Sequence, residues 1–236
     1  MKLILTRNGL QTIIHSWKAF EVAKIKRENL NLKVYSALKQ MIANYRFKPG
    51  ARINVEQITK ELGVSRTPVW EAIRRLEQEG LVVNSPNKGV FMNSLTPEEA
   101  LDLYAVREVL EGMAARLAAE RIDEKTLAKL DKSLQKQEKI IANEDLVAYS
   151  QVDFDFHALI YEASGNVFLR ELLQNIKNKM RPISMHVGGF LQTFYDDHTR
   201  LVDAFKEGDP ERAEIVLRKH NQNVMRIIRD EVKSFV

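Results

Sequence analysis

The chain has 236 residues, 44% of them apolar and 29% charged, which suits one large core or two modest ones, and it contains no cysteine. That absence excludes a disulfide framework, thiolate-bound zinc and a cysteine nucleophile, and it fits a cytoplasmic protein. The formal net charge of +4 divides unevenly: residues 1–30 hold six Lys/Arg against two Asp/Glu, residues 31–94 ten against five, and residues 95–236 twenty against twenty-five. A basic front and an acidic back suggest that the front meets a polyanion and the back does something else.

Residues 1–30 form an extension. Leu10, Ile13, Ile14, Trp17 and Phe20 are spaced for an amphipathic helix, while Lys18, Lys24, Lys26 and Arg27 interrupt any apolar run. Neither a signal peptide nor a membrane span is expected there, and no function is assigned to it.

Residues 31–94 crowd short elements between Pro49-Gly50, Gly63, Gly80, Pro86 and Gly89. Leu32, Tyr35, Leu38, Met41 and Ile42 mark a helix ended by Pro49-Gly50, and Val55–Leu62 a second helix stopped by Gly63. A third is capped by Ser65 and ends at Glu79-Gly80. Leu81-Val82-Val83 and Val90-Phe91-Met92 then flank Asn84–Gly89, a hairpin signature. Three helices and a hairpin make a winged helix-turn-helix.

Within it, Ile58 and Leu62 share one face of the second helix, Gly63 supplies the turn, and Val69, Ile73 and Leu76 bury the third. Ser65, Arg66 and Thr67 at the start of that helix are then placed to meet base edges and phosphates. Arg52, Arg74, Arg75 and the wing-tip pair Lys88 and Gly89 are candidate backbone contacts.

Residues 95–236 read as an all-α bundle of six to seven helices. Thr96 with Pro97-Glu98-Glu99 opens the first, which runs to about Arg121. Others follow over 123–142, 146–163, 167–181, 189–207 and from Pro210 to the C-terminus, with Asn166 expected to close the third. Asp153 and His157 lie four apart on one helix and so share a face. His198 and His220 each stand eleven residues from Asp209, which in an antiparallel hairpin sets them side by side, ~16 Å from the turn. Three imidazoles and a carboxylate suit a divalent transition metal: Zn²⁺ or Ni²⁺ first, with Mn²⁺ and Fe²⁺ open. His15 and His186 have no place in this quartet.

Two stretches carry a family resemblance. Pro49-Gly50-Ala51-Arg52, Leu62–Val69, Glu71–Leu76 and Glu79-Gly80-Leu81 resemble the GntR family of bacterial transcription regulators. In that family the position of Trp70 is usually a DNA-contacting arginine, so the resemblance implies an altered operator preference here. Val106–Glu111, Asp153–His157 with Ser164-Gly165-Asn166, Asp197–Ala204, Gly208-Asp209 and Arg218-Lys219-His220 resemble the FCD sensing domain of the fatty-acid-regulator branch.

This resemblance implies that Asp153, His157, His198 and His220 hold a metal and that a small carboxylate or sugar-acid effector completes its coordination. It also makes Arg107 a candidate partner for the effector carboxylate. The expected protein is a homodimeric, ligand-responsive regulator of pseudo-palindromic operator DNA, more often a repressor, with no membrane partner. Two alternatives stay open: a metal-dependent hydrolase fused to a DNA-binding module, and a regulator that senses the metal itself.

Overall fold

The computed structural model describes residues 28–181 and 190–234. The amphipathic segment expected near the N-terminus, His15, His186 and Gly188-Gly189 lie outside the described residues.

The front begins with α1 (Glu28–Ala43), β1 (Arg52–Ile53), α2 (Val55–Leu62) and α3 (Arg66–Gln78), followed by β2 (Val82–Ser85) and β3 (Gly89–Met92). Asn54 Oδ1 accepts from the Gln57 amide and opens α2, and Gly63 ends it at φ 63°. Ser65 occupies the N-cap position of α3 in an extended conformation, but its side chain makes no capping hydrogen bond. Val34, Leu38 and Ile42 of α1 pack with Ile58, Val69, Ile73, Leu76, Val82 and Val90 into one core. Each such burial contributes about 1.5–3 kcal/mol.

Two features differ from the sequence reading. The wing has three strands in the order β1-β3-β2, with Arg52 opposite Phe91 and Ile53 opposite Val90. A two-residue strand is too short to leave an alternating pattern. Secondly, α1 ends at Ala43 rather than at Pro49-Gly50, because Tyr45 turns the backbone at φ 52°. The amides of Tyr45 and Arg46 return to the carbonyls of Ile42 and Met41.

Four residues, Asn93 to Thr96, connect β3 to α4 (Pro97–Ala119). Thr96 and Glu99 cap each other reciprocally, and Pro97 fills the first turn. Then come α5 (Glu124–Ile141), α6 (Leu146–Ala163), α7 (Val167–Met180), α8 (Leu191–Glu207) and α9 (Pro210–Ser234). Among the described residues the back is thus six helices. Asp123, Asp145 and Asn166 supply N-cap oxygens to α5, α6 and α7. Asn166 therefore opens the helix after it and does not close the one before, since its Oδ1 accepts from the Leu169 amide at 3.1 Å.

Small residues let α4 and α9 approach closely. A Cβ on Gly112 would come within 2.8 Å of Arg218 Cγ. Ala114, Ala115 and Ala118 pack with Phe156, Ile160, Leu173, Leu201 and Leu217 in one cluster, and Tyr104, Tyr149, Ile176, Phe194 and Val224 belong to a second. No described helix is long and apolar enough to cross a membrane.

Candidate metal centre and nucleic-acid interface

On the front, α3 buries Val69, Ile73 and Leu76, which turns Ser65, Arg66, Thr67 and Arg74 outward to exposed positions. Arg52 on β1 and Arg66 and Trp70 on α3 line one hollow of about 620 Å³ with Gly89 on the wing. The Arg52 guanidinium lies so near Gly89 that a Cβ there would meet Nε at 3.0 Å. Trp70 is half-buried at the hollow's wall, and Lys88 is exposed at the wing tip. Arg75 points elsewhere: its guanidinium stacks over Tyr35 at 4.0 Å and lies 3.8 Å from Glu79, so it braces α3 against α1.

In the bundle the four expected ligands arrive from α6, α8 and α9. His157, His198 and His220 are buried, and one nitrogen of each lies within 4.8 Å of the others. The His198 and His220 rings are 5.0 Å apart, and His157 lies 5.2 and 5.5 Å from them. Asp153 Oδ1 is 3.6 Å from His157 Nε2 and 3.7 Å from His198 Nε2. A tetrahedral ion with bonds of about 2.0–2.1 Å needs ligand atoms roughly 3.3 Å apart, which the two Asp153 contacts approach, while the imidazole nitrogens lie within 4.8 Å of one another.

Oxygen atoms from outside the quartet stand behind Nδ1 of each ring, hydrogen-bonded at His198 and as close neighbours at His157 and His220. His198 Nδ1 donates to Gln137 Oε1 at 2.8 Å, because an amide oxygen only accepts, and this leaves the lone pair on Nε2. Glu111 Oε1 lies 3.2 Å from His157 Nδ1, and Asp197 Oδ2 lies 3.5 Å from His220 Nδ1. Carboxylate or amide oxygens behind imidazoles are the usual means of fixing tautomer and ring orientation around a metal.

Both ring nitrogens of His157, Nε2 of His198 and Nδ1 of His220 are buried with no hydrogen-bond partner among the described residues. Such orphaned groups cost about 1–3 kcal/mol each unless something satisfies them, and a cation does so. The donor set thus fits a divalent metal.

Electrostatics agree with ligation. Burial, reinforced by His220, pushes His198 well below the usual imidazole range, and burial with His157 nearby lowers His220. Both stay neutral, as ligands must. Burial would raise Asp153, but the Lys177 ammonium, 3.0 Å from Oδ2, and His157 hold it well below the usual carboxylate range. Burial also brings Lys177 itself down to about 8.

A cavity of about 50 Å³ opens beside the cluster, lined by Tyr104, Arg107, Tyr149, Ser150, Asp153, His157 and His220 among others. Arg107 therefore faces it, but not freely: Nη2 and Nε donate to Glu111 Oε1 at 2.8 and 3.3 Å. Its Nη1 meets the Met180 thioether at 3.9 Å, a weak acceptor. Glu111 also accepts from Tyr161 and, at 2.6 Å, from Asn221.

Sequence reasoning missed Glu111, Gln137, Asp197 and Lys177. Only Glu111 left a signal, as the i+4 acid after Arg107. Asp155 is exposed and away from the cluster, as its position two residues from Asp153 requires.

Comparison with known proteins finds two family matches along the chain. Residues 30–92 match the bacterial regulatory proteins of the gntR family, and residues 102–223 match the FCD domain. The HTH-type transcriptional regulator YdhC of Bacillus subtilis is 35% identical over 187 residues, covering 77% of this chain and 83% of that protein. The Nta operon transcriptional regulator of Aminobacter aminovorans is 32% identical over 199 residues, covering 81% and 93%. The solved structure of E. coli McbR/YncC superposes with a TM-score of 0.77 at 25% identity, covering 86% of this chain and 99% of that one. These relatives are transcription regulators, which removes the hydrolase alternative. A helix-turn-helix domain joined to a helical bundle, in a chain that matches both family parts, belongs to the GntR family of transcription regulators with an FCD domain.

Proposed function

We propose that this regulator is ligand-responsive. Residues 31–94 read a pseudo-palindromic operator, and residues 95–236 bind a divalent metal, a small organic acid and a second copy of the chain. Effector binding alters the placement of the two readers and releases the operator, so that the protein acts as a cytoplasmic repressor. The observation that carries this reading is the clustering of three buried imidazoles and Asp153 beside a small cavity that Asp153, His157, His220 and Arg107 line.

Asp153, His157, His198 and His220 would hold the ion, with Zn²⁺ or Ni²⁺ preferred by three nitrogen donors and one oxygen donor. When bound, the metal supplies positive charge to a site within an acidic domain. Arg107 offers the N–H groups of Nη1 to a carboxylate, while Glu111 holds the rest of the guanidinium in place. The small cavity favours an acid of few heavy atoms. Arg52, Ser65, Arg66, Thr67, Trp70, Arg74, Lys88 and Gly89 form the DNA face. Trp70 in place of an arginine favours stacking or apolar contact over a bidentate guanine contact.

The homodimer finds support on α4. Asp102, Val106, Val109, Met113 and Arg116 are exposed at spacings of four, three, four and three, the rhythm of a helix-on-helix seam. Two α4 helices crossing antiparallel at Val109 set Asp102 of each chain opposite Arg116 of the other, since both stand seven residues from the centre.

The test is a thermal-shift screen of small organic acids with Zn²⁺ or Ni²⁺ present, run on the wild type and on His198→Ala. A specific acid raises the melting temperature of the wild type alone. Equal shifts in both proteins would overturn the effector site. Operator binding that follows the metal and ignores every acid would make the metal itself the signal.

A further inference from the structure

Among the described residues, helix ends that turn left-handed mostly use glycine, and Tyr45 and Glu144 are the exceptions. α2, α3 and α8 each close with a glycine in the left-handed conformation: Gly63, Gly80 and Gly208, at φ 63°, 72° and 64°. α1 closes with the same pair of backbone hydrogen bonds, yet the left-handed residue is Tyr45 at φ 52°. A side chain there costs on the order of 1–2 kcal/mol, and such strain points to a task for the residue. Glu144 after α5 is a comparable case, but its side chain is exposed.

The Tyr45 side chain crosses to the bundle. Its hydroxyl lies 2.6 Å from Ser150 Oγ and donates to the Arg181 carbonyl at 3.3 Å. Ser150 is buried on α6, one turn before Asp153, and lines the cavity beside the imidazoles. At its other end Tyr45 continues α1, which is tied to α3 by Lys39 Nζ donating to Glu79 at 2.7 Å and by the Arg75–Tyr35 stack. One strained side chain thus links the cavity wall to the helix that carries Arg66 and Trp70.

We propose that Tyr45 is a positioning residue that transmits the state of the sensor cavity to the DNA reader through Ser150. This rests on the proposed metal and effector site. Displacing α6 at Ser150 moves the end of α1, and α3 follows because the two share a core. The coupling is as large as the difference in Tyr45–Ser150 contact between the two states.

Hydrogen exchange on the full chain tests it, with a chelator and then with Zn²⁺, comparing wild type, Tyr45→Phe, Tyr45→Gly and Ser150→Ala. Tyr45→Gly relieves the left-handed strain, so it keeps the fold while removing the link. In chelator, all three variants are expected to exchange several-fold faster over residues 44–50, and the Tyr45→Phe/Ser150→Ala double variant no faster than either single one. In wild type, Zn²⁺ is expected to slow exchange over residues 146–157 and 44–50 together, whereas in Tyr45→Phe only the first segment responds. Equal responses of residues 44–50 in wild type and Tyr45→Phe would overturn the proposal. If Zn²⁺ leaves residues 146–157 unchanged in the wild type, the metal site is wrong. The link is then judged in chelator alone, where unchanged exchange over residues 44–50 in every variant overturns it.

Discussion

Arg107 and Glu111, one turn apart on α4, hold each other at 2.8 Å in the bundle interior, and the same carboxylate oxygen lies 3.2 Å from His157 Nδ1. Burial opposes the charge on Glu111, but Arg107 and His157 hold its carboxyl well below the usual range. One carboxylate therefore serves both the proposed effector arginine and a proposed metal ligand. Glu111→Gln leaves the guanidinium buried without its counter-charge, and such a break costs about 3–5 kcal/mol. Loss of the oxygen behind His157 should also weaken Zn²⁺ binding by roughly 10–100-fold. Urea denaturation and Zn²⁺ titration measure the two effects separately, and unchanged Zn²⁺ affinity would remove Glu111 from the site.

Metal removal should lower stability without unfolding the protein, because the bundle has its own core. At a free Zn²⁺ concentration of 100 times Kd, binding contributes about 2.7 kcal/mol. For a domain of this size that is roughly 5–10 °C in Tm. His198→Ala should abolish the difference between chelated and Zn²⁺-loaded protein, since it removes the ligand held at 2.8 Å by Gln137. Calorimetric scans of the four samples decide it.

At the DNA face, Arg66→Ala should weaken operator binding by about 1–3 kcal/mol and weaken binding to unrelated DNA less, if Arg66 reads a base edge. An equal loss on both would make it a phosphate contact. Trp70→Arg should shift the preferred operator sequence and steepen the salt dependence by about one charge. Binding-site selection with both proteins, followed by titration across salt concentrations, provides the measurement.

Val109→Glu places a charge at the centre of the exposed α4 seam and should convert a dimer into a monomer by light scattering. Asp102→Arg or Arg116→Asp should weaken the dimer singly, and the double exchange should restore it. Arg116 also bonds Glu214 at 3.3 Å within its own chain, so its single variant should have the larger effect. A dimer that survives Val109→Glu would place the interface elsewhere.

The sequence revealed much of the architecture because its punctuation is local. Gly63, Gly208, Thr96 with Pro97, and the apolar spacing of α2 and α3 each act within one turn of helix, and each appears where the sequence placed it. That His157, His198 and His220 lie together, with Asp153 beside the first two, was also legible, from spacing and from family resemblance. The residues behind the imidazoles were not, because Glu111 and Gln137 come from other helices, 46 and 61 residues away from the histidines they face. Tyr45 and β1 escaped for a different reason. A left-handed tyrosine and a two-residue strand are imposed by tertiary contacts that override local preference.

Only Asn93 to Thr96 separate the last strand of the wing from α4, a reach of at most about 14 Å, and Thr96 is itself locked to Glu99. In the proposed dimer this short connector turns α4 into a ruler. The distance between the two readers is set by rigid helix, and neither can swing far to find a misplaced half-site. Inserting about five base pairs between half-sites carries one of them to the far side of the duplex. A four-residue connector cannot follow it there, so tolerance to operator spacing should be narrow however well each half-site is matched.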